Sequence, residues 1–123
     1  MKTSFPALAL LFLLASSAGA ATLSTPLVIV NSTDFALCIA TNVGKSDANV
    51  TVELKSGSGA VQAPSVASCG TTPATLAPGA YCFNRYAQAT DGYCVVSGTG
   101  KIRAALEVFD SGFNVKTLIG ATK

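Results

Sequence analysis

The feature that most constrains this fold is a strict alternation of apolar and polar side chains. In residues 49–56 it places both valines and the leucine on one side of an extended chain. A period of two is expected when one face of a β-strand is buried and the other faces water. Residues 35–42 form a second candidate strand, and the turn-forming residues 42–47 separate the two. We therefore predict that residues 35–55 form a β-hairpin.

Similar short strands recur along the chain, with turns at intervals of roughly 8–12 residues. They are predicted at residues 27–31, 60–68, 80–87, 93–97, 102–109 and 114–119. Residues 97–100 are predicted to be a tight hairpin turn, and Pro64 predicts an edge or a bulge. No segment combines a 3.6-residue apolar period with helix caps. The predicted fold is all-β, an immunoglobulin-like sandwich of two antiparallel sheets with about seven or eight strands, and a small closed barrel is the alternative.

The N-terminal residues have the pattern of a secretory signal peptide. Lys2 supplies a positive charge, residues 7–15 form a continuous apolar run, and small residues end at Ala20. The apolar run is much shorter than the ~20 residues that a transmembrane helix needs. We therefore predict a signal peptide at residues 1–20, cleavage after Ala20, and a single domain at residues 21–123 without a transmembrane segment.

The four cysteines predict two disulfide bonds, because an exported chain of this size folds in an oxidising compartment. Cys38 and Cys94 lie inside predicted strands that are far apart in the chain, whereas Cys69 and Cys82 flank a proline-containing loop. Strand position favours the pairs Cys38–Cys94 and Cys69–Cys82, and the other two pairings stay open. A zinc site is disfavoured, since the chain has no Cys-x-x-Cys pair and no histidine.

The composition argues against catalysis. Without histidine, neither a Ser-His nor a Cys-His nucleophile pair can form. Asp91, Glu107 and Asp110 are the candidates for a carboxylate acid and base. Asp91 and Asp110, however, stand in turn sequences beside glycine or serine, and Glu107 falls on the solvent side of a predicted strand. We predict no enzyme activity and no catalytic, cofactor-binding or metal-binding residue.

Charge and aromatic content bear on the partners. Loss of the signal peptide reduces the eight cations to seven against six anions, and neither sign is clustered, so no nucleic-acid surface is expected. Tyr81 and Phe83 are predicted to fill the core, which leaves Tyr86 as an exposed contact. Asn31 and Asn49 begin Asn-x-Thr sequences that are N-glycosylated in some hosts.

Four segments resemble small secreted bacterial β-sandwich proteins. They are residues 38–54 (CIATNVGKSDANVTVEL), 76–79 (LAPG), 92–94 (GYC) and 102–115 (IRAALEVFDSGFNV). The chain is more loosely similar to the CARDB-type and fibronectin-type modules of bacterial cell-surface proteins. The resemblance implies an immunoglobulin-like fold and an extracytoplasmic location, and it brings no catalytic residues.

These observations favour a non-catalytic module, secreted or periplasmic, that has a structural role or binds a protein or a cell-surface polysaccharide. One alternative is a secreted inhibitor that inserts the loop between Cys69 and Cys82 into the cleft of a hydrolase. A second alternative is a small enzyme that uses carboxylates. The sequence does not fix the oligomeric state.

Overall fold

The computed structural model describes residues 20–70, 73–87 and 90–121. These residues form eleven β-strands, which are β1 (Ala20–Ser24), β2 (Val28–Ile29), β3 (Phe35–Asn42), β4 (Ala48–Lys55), β5 (Val61–Gln62), β6 (Val66–Ala67), β7 (Ala74–Leu76), β8 (Tyr81–Ala87), β9 (Asp91–Thr99), β10 (Ile102–Phe109) and β11 (Val115–Gly120). The strands outnumber the prediction partly because β2, β5 and β6 have only two residues each. Residues 1–19 lie outside the described residues, so the signal peptide and its cleavage after Ala20 remain predictions.

The strands form two antiparallel sheets. In the six-stranded sheet, β9 lies between β1 and β4, β2 also pairs with β9, and β5 and β7 pair with β4. The five-stranded sheet has the order β11-β10-β3-β8-β6. This arrangement confirms the predicted all-β, disulfide-stabilised sandwich.

The predicted hairpin at residues 35–55 is wrong, because its two strands belong to different sheets. β3 pairs with β8 and β10, whereas β4 pairs with β9. The buried Asn42 holds the crossing, since its side-chain amide donates to the carbonyls of Ser46 and Leu76, each at 2.8 Å. The turn therefore carries the chain across the core instead of folding the second strand back beside the first.

The predicted hairpin turn at residues 97–100 is wrong for the same reason. β9 continues through Thr99 in the six-stranded sheet, and β10 begins at Ile102 in the other sheet. Gly98 is a strand residue that pairs with Ala21 on one side and Val50 on the other. The chain crosses between the sheets only after this pairing has ended.

Two weaker strand predictions are also corrected. Residues 60–68 do not form one strand, because β5 and β6 on either side of Pro64 pair with different sheets. Of residues 27–31, only Val28 and Ile29 form a strand, β2, which pairs with β9, and the Ile29 side chain is 77% exposed. A proline without an amide hydrogen cannot continue a strand ladder, which explains the break at Pro64.

The Cys38–Cys94 disulfide lies in the core and joins the central strands of the two sheets. The second disulfide, Cys69–Cys82, attaches the segment after β6 to β8. These are the pairs that strand position favours. Around them the predicted alternation of β4 and β10 is confirmed, since every second side chain of β4 is buried, as are Ala104, Leu106 and Val108 of β10.

The predicted roles of the β8 aromatic residues are reversed. Tyr81 is 66% exposed and Phe83 is partly exposed, whereas Tyr86 is only 1% exposed. Cys82 must face inward to bond Cys69, and the strand alternation then turns Tyr86 inward as well. Burial raises the pKa of the Tyr86 hydroxyl, which contacts the Asn84 side chain at 3.5 Å.

We expect Gly98→Ala to lower the free energy of unfolding by about 2 kcal/mol or more. A β-carbon at Gly98 would collide with the backbone oxygen of Asn49 on β4. Gly120→Ala is the matched control, because a β-carbon there meets no atom within 4 Å. The control should change the stability by less than about 0.5 kcal/mol. Urea denaturation with both disulfides intact measures the two effects, and equal stabilities would contradict the close approach at Gly98.

Candidate binding face

The outer surfaces of the two sheets differ in polarity. Along β1, β4 and β9, the outer face of the six-stranded sheet carries mainly polar side chains, namely Thr22, Ser24, Asn49, Thr51, Glu53, Lys55, Ser97 and Thr99. Tyr93 and Val95 are its large apolar members on these strands. This face has the composition expected of a sheet surface in contact with water.

The outer face of the five-stranded sheet carries many more apolar side chains, although Thr41, Arg85, Arg103 and Glu107 also point outward from it. Seven side chains define what we call the apolar face: Phe35, Leu37, Ile39, Phe83, Ala105, Phe109 and Leu118. Those near the centre are partly exposed, and Leu118 toward the edge is 63% exposed. A contiguous apolar surface of this kind is typical of an interaction site.

The central strand β3 has its larger side chains on the outside. Its buried residues are Ala36, Cys38, Ala40 and Asn42, and its outward residues are Phe35, Leu37, Ile39 and Thr41. A strand that buries only one face normally places its bulkiest apolar side chains inward, where they remove most surface from water. Apolar residues on both sides are typical of a strand that is covered on both sides.

The strand register arranges the outward side chains of β10, β3 and β8 in four rows. The rows are Arg103–Thr41–Tyr81, Ala105–Ile39–Phe83, Glu107–Leu37–Arg85 and Phe109–Phe35–Ala87. The third row continues to Leu118 on β11 and Val66 on β6. In that row an anion and a cation flank the central leucine, about 10 Å apart across two strand spacings.

An aromatic cluster closes one end of the apolar face. The rings of Phe35 and Phe109 are stacked with their centroids 5.4 Å apart, and Phe113 meets Phe35 edge-on at 5.7 Å. The guanidinium of Arg85 lies 5.5 Å from the centre of the Phe35 ring. Phe113 is 71% exposed and has a φ of 64°, which is rare for a bulky residue. The β10–β11 turn thus holds an aromatic ring toward solvent at the rim of the face.

An ion pair fixes the edge strand of the face. The Nζ of Lys116 on β11 donates to Oδ2 of Asp34 at 2.9 Å, and the Asp34 side chain is only 4% exposed. The Lys116 side chain is 43% exposed, so the pair is half-buried, and loss of Lys116 would leave the buried Asp34 carboxylate without its cation. β11 is therefore attached to the start of β3 as well as to β10. Beside it, a shallow cavity of about 320 Å³ lies between Ile39, Ala105 and Leu118.

The three candidate carboxylates do not form one site. Asp91 begins β9 in the six-stranded sheet, Glu107 lies in the middle of β10, and Asp110 lies in the turn after β10. Asp110 accepts hydrogen bonds from the backbone amides of Asn114 and Gly112, each at 2.9 Å. These bonds lower the pKa of the Asp110 carboxyl, and those from Asn114 have the largest effect. Asp110 therefore acts as an ionised turn residue.

Other predicted positions have simpler surroundings. The loop between Cys69 and Cys82 includes residues 71 and 72, which lie outside the described residues. Asn31 and Asn49 are exposed, and the Asn49 side chain accepts a hydrogen bond from the Thr75 hydroxyl at 2.8 Å. Within the described ranges, no three potential metal ligands lie together. Residues 20–70, 73–87 and 90–121 also contain no helix long and apolar enough to cross a membrane.

Sequence reasoning missed the apolar face, although one signal for it was present. Residues 35–42 have apolar or small side chains at both odd and even positions, unlike residues 49–56. The pattern does not say whether the odd or the even positions face the core. The Cys38–Cys94 bond decides this, because it turns the even positions inward and the larger odd ones outward.

The comparisons with known proteins give distant structural similarities only. A scan against protein-family models finds no match, and a search of curated proteins finds none either. Among solved structures, the chain is similar to Thermotoga maritima 1070, with 19% identity, a TM-score of 0.47, and coverage of 83% of this chain and 93% of that one. It is also similar to the Anabaena sensory rhodopsin transducer, with 15% identity, a TM-score of 0.41, and coverage of 72% and 93%. These values support no inference about function. The structure bears out the β-sandwich part of the sequence resemblance, and not the CARDB type specifically.

We expect a carboxyl NMR titration to place the pKa of Asp110 below its ordinary value. The hydrogen bonds from Asn114 and Gly112 lower the pKa of Asp110 in the folded protein, so they stabilise the fold fully above the unfolded pKa of about 3.9. This stabilisation is lost as the pH falls through the lower pKa of the folded state. Asn114→Ala removes the side-chain donor at 3.2 Å and should raise the pKa of Asp110 part of the way back. Ser111→Ala should leave it unchanged. A carboxyl pKa above the ordinary value in the native protein would contradict the turn role.

Proposed function

We propose that this protein is a non-catalytic, extracytoplasmic β-sandwich module that binds a folded protein through its apolar face. The observation that carries the proposal is the side-chain arrangement of β3, which leaves its larger apolar residues partly exposed and buries its smaller ones. Exposed apolar area is costly in water, and an apolar contact surface removes that cost.

The extracytoplasmic location is supported by the chemistry of the cysteines. Both disulfides are formed, and the described residues leave no free cysteine. Such bonds persist in oxidising compartments and are rare in the cytosol. The predicted signal peptide at residues 1–20 supports the same location.

A protein partner fits this face better than a polysaccharide. Carbohydrate recognition needs polar groups among the aromatic rings, whereas the central positions Leu37, Ile39 and Ala105 offer no side-chain hydrogen bonds. Arg85 and Glu107 flank this centre and supply one charge of each sign. The surface that complements it is apolar at its centre and carries a carboxylate and a cation beside it.

The scaffold is suited to binding because the face is rigid. β3 is covalently joined to β9 through Cys38 and Cys94, and it pairs along its length with β8 and β10. A surface that is ordered before binding loses less conformational entropy when the partner docks. The separation of Asp91, Glu107 and Asp110 supports a role without catalysis.

Site-specific photo-crosslinking in the exporting host tests this function. A benzophenone amino acid at Leu37 or Ile39 should give a discrete protein adduct on irradiation, because both side chains lie at the centre of the face. The matched control positions are Thr51 and Val95, which face outward from the other sheet and should give no adduct. Adducts from the control positions alone, or none from the apolar face, would overturn the proposal. Capture of polysaccharide without protein would identify the other partner class.

A further inference from the structure

We infer that the protein bound by the apolar face is a second copy of this chain, packed face to face about a two-fold axis that runs along β3. This inference rests on the proposed function and names its partner. A two-fold interface uses the same patch on both protomers, so that patch must complement itself. The register of the five-stranded sheet allows this requirement to be checked residue by residue.

The charges satisfy the requirement. A two-fold axis along β3 places each β3 residue opposite its own copy. It places each outward β10 residue opposite the β8 residue of the same row in the other protomer. Glu107 of one protomer then faces Arg85 of the other, and the same pair forms again on the opposite side of the axis. Leu37 meets its own copy between the two pairs. Opposite charges across the interface fix its register as well as its orientation.

The side-chain sizes also satisfy the requirement that the patch complement itself. In the next row the axis places Ala105 opposite Phe83, and in the row at the aromatic end it places Phe109 opposite Ala87. On β8 and β10 each of these contacts joins a large ring to a methyl group, whereas Phe35, Leu37 and Ile39 of β3 each meet their own copies along the axis. Facing surfaces need this alternation of large and small side chains to pack at the density of a protein interior.

The outer positions follow the same pattern. Arg103 comes to lie opposite Tyr81, a cation facing an aromatic ring, and Leu118 on β11 comes to lie opposite Val66 on β6. Leu118 and Val66 are 63% and 40% exposed, which leaves both available for such a contact. Contacts between a cation and an aromatic ring are favourable at protein surfaces.

A different axis gives a poorer match. A two-fold axis that crosses the strands at the Leu37 row would place each Glu107 opposite its own copy and each Arg85 opposite its own copy. Like charges at an interface are repulsive. Both axes keep the strands of the two sheets nearly aligned, as packed sheets prefer, so the charges distinguish between them.

The area of the face is at the small end of the range for protein interfaces. With strands about 4.8 Å apart and about 3.3 Å per residue, the face covers about 500 Å² on each protomer. The total of about 1,000 Å² is close to the lower bound for a biological interface. We therefore expect a dimer that forms and dissociates within the micromolar concentration range.

Sedimentation velocity of the exported protein with charge-exchange variants tests the inference. The wild-type protein should change from monomer to dimer between about 1 and 100 μM, as expected for an interface of this size. Glu107→Arg and Arg85→Glu should each weaken dimerisation by at least about tenfold, because each creates two like-charge contacts. The double variant restores opposite charges on both sides of the axis and should return the dissociation constant to within about threefold of wild type.

Two charge variants of the six-stranded sheet are the matched controls. Glu53→Arg and Lys55→Glu alter outward charges of the other sheet and should leave dimerisation unchanged. Near-ultraviolet circular dichroism checks that every variant is folded. A double variant as weak as the single variants would overturn the two-fold arrangement. If the wild type stays monomeric while crosslinking from Leu37 still yields an adduct, the second copy is excluded and the binding function stands. If crosslinking fails as well, both fail.

A cysteine at the axis gives an independent test that does not depend on charge. Leu37→Cys places two thiols opposite each other in the dimer, and because face-packed sheets lie about 10 Å apart, a bis-maleimide reagent of about that length should produce a covalent dimer. Thr51→Cys is the matched control on the polar face and should remain monomeric on a non-reducing gel. Absence of the covalent dimer from folded Leu37→Cys protein at concentrations where the wild type dimerises would overturn the assigned axis.

Discussion

The bond between Cys38 and Cys94 is the constraint on which the rest of this structure depends. It joins the centre of one sheet to the centre of the other, and a loop of this length makes the disulfide worth about 4 kcal/mol of unfolded-chain entropy. It also fixes which residues of β3 face the core. Once Cys38 points inward, Ala36 and Ala40 point inward with it, and Phe35, Leu37 and Ile39 are turned outward.

The apolar face therefore follows from the same geometry that holds the sandwich together. Small inward side chains on β3 leave room for the disulfide and for large neighbours such as Leu54 and Leu106, which are fully buried. The larger side chains of β3 lie on the outer side of the sheet. In this way one strand contributes to two apolar surfaces, one inside the sandwich and one outside it.

Much of the architecture could be predicted from local pattern, and the errors have a common cause. Three correct predictions depend only on neighbours in sequence. They are the alternation of β4 and β10, the strand after Pro78 and Gly79, and the turn role of Asp110. The two predicted hairpins failed because turn residues show where a chain bends and not which sheet it enters next. Asn42 decides the first crossing through a bond to Leu76, a contact 34 residues away.

The sequence by itself determined that the chain is all-β, that its strands are short, and that its four cysteines suit two disulfides, because period, turn chemistry and composition are local properties. Only the tertiary structure decided among the three cysteine pairings, and the pairing then set the parity of β3 and β8, the burial of Tyr86 and the outward direction of Leu37. In a strand with apolar residues on both sides, the pattern alone allows either the odd or the even positions to face the core. The physical reason for the choice is a covalent bond between residues that are 56 positions apart, which brings together strands that no short-range rule connects.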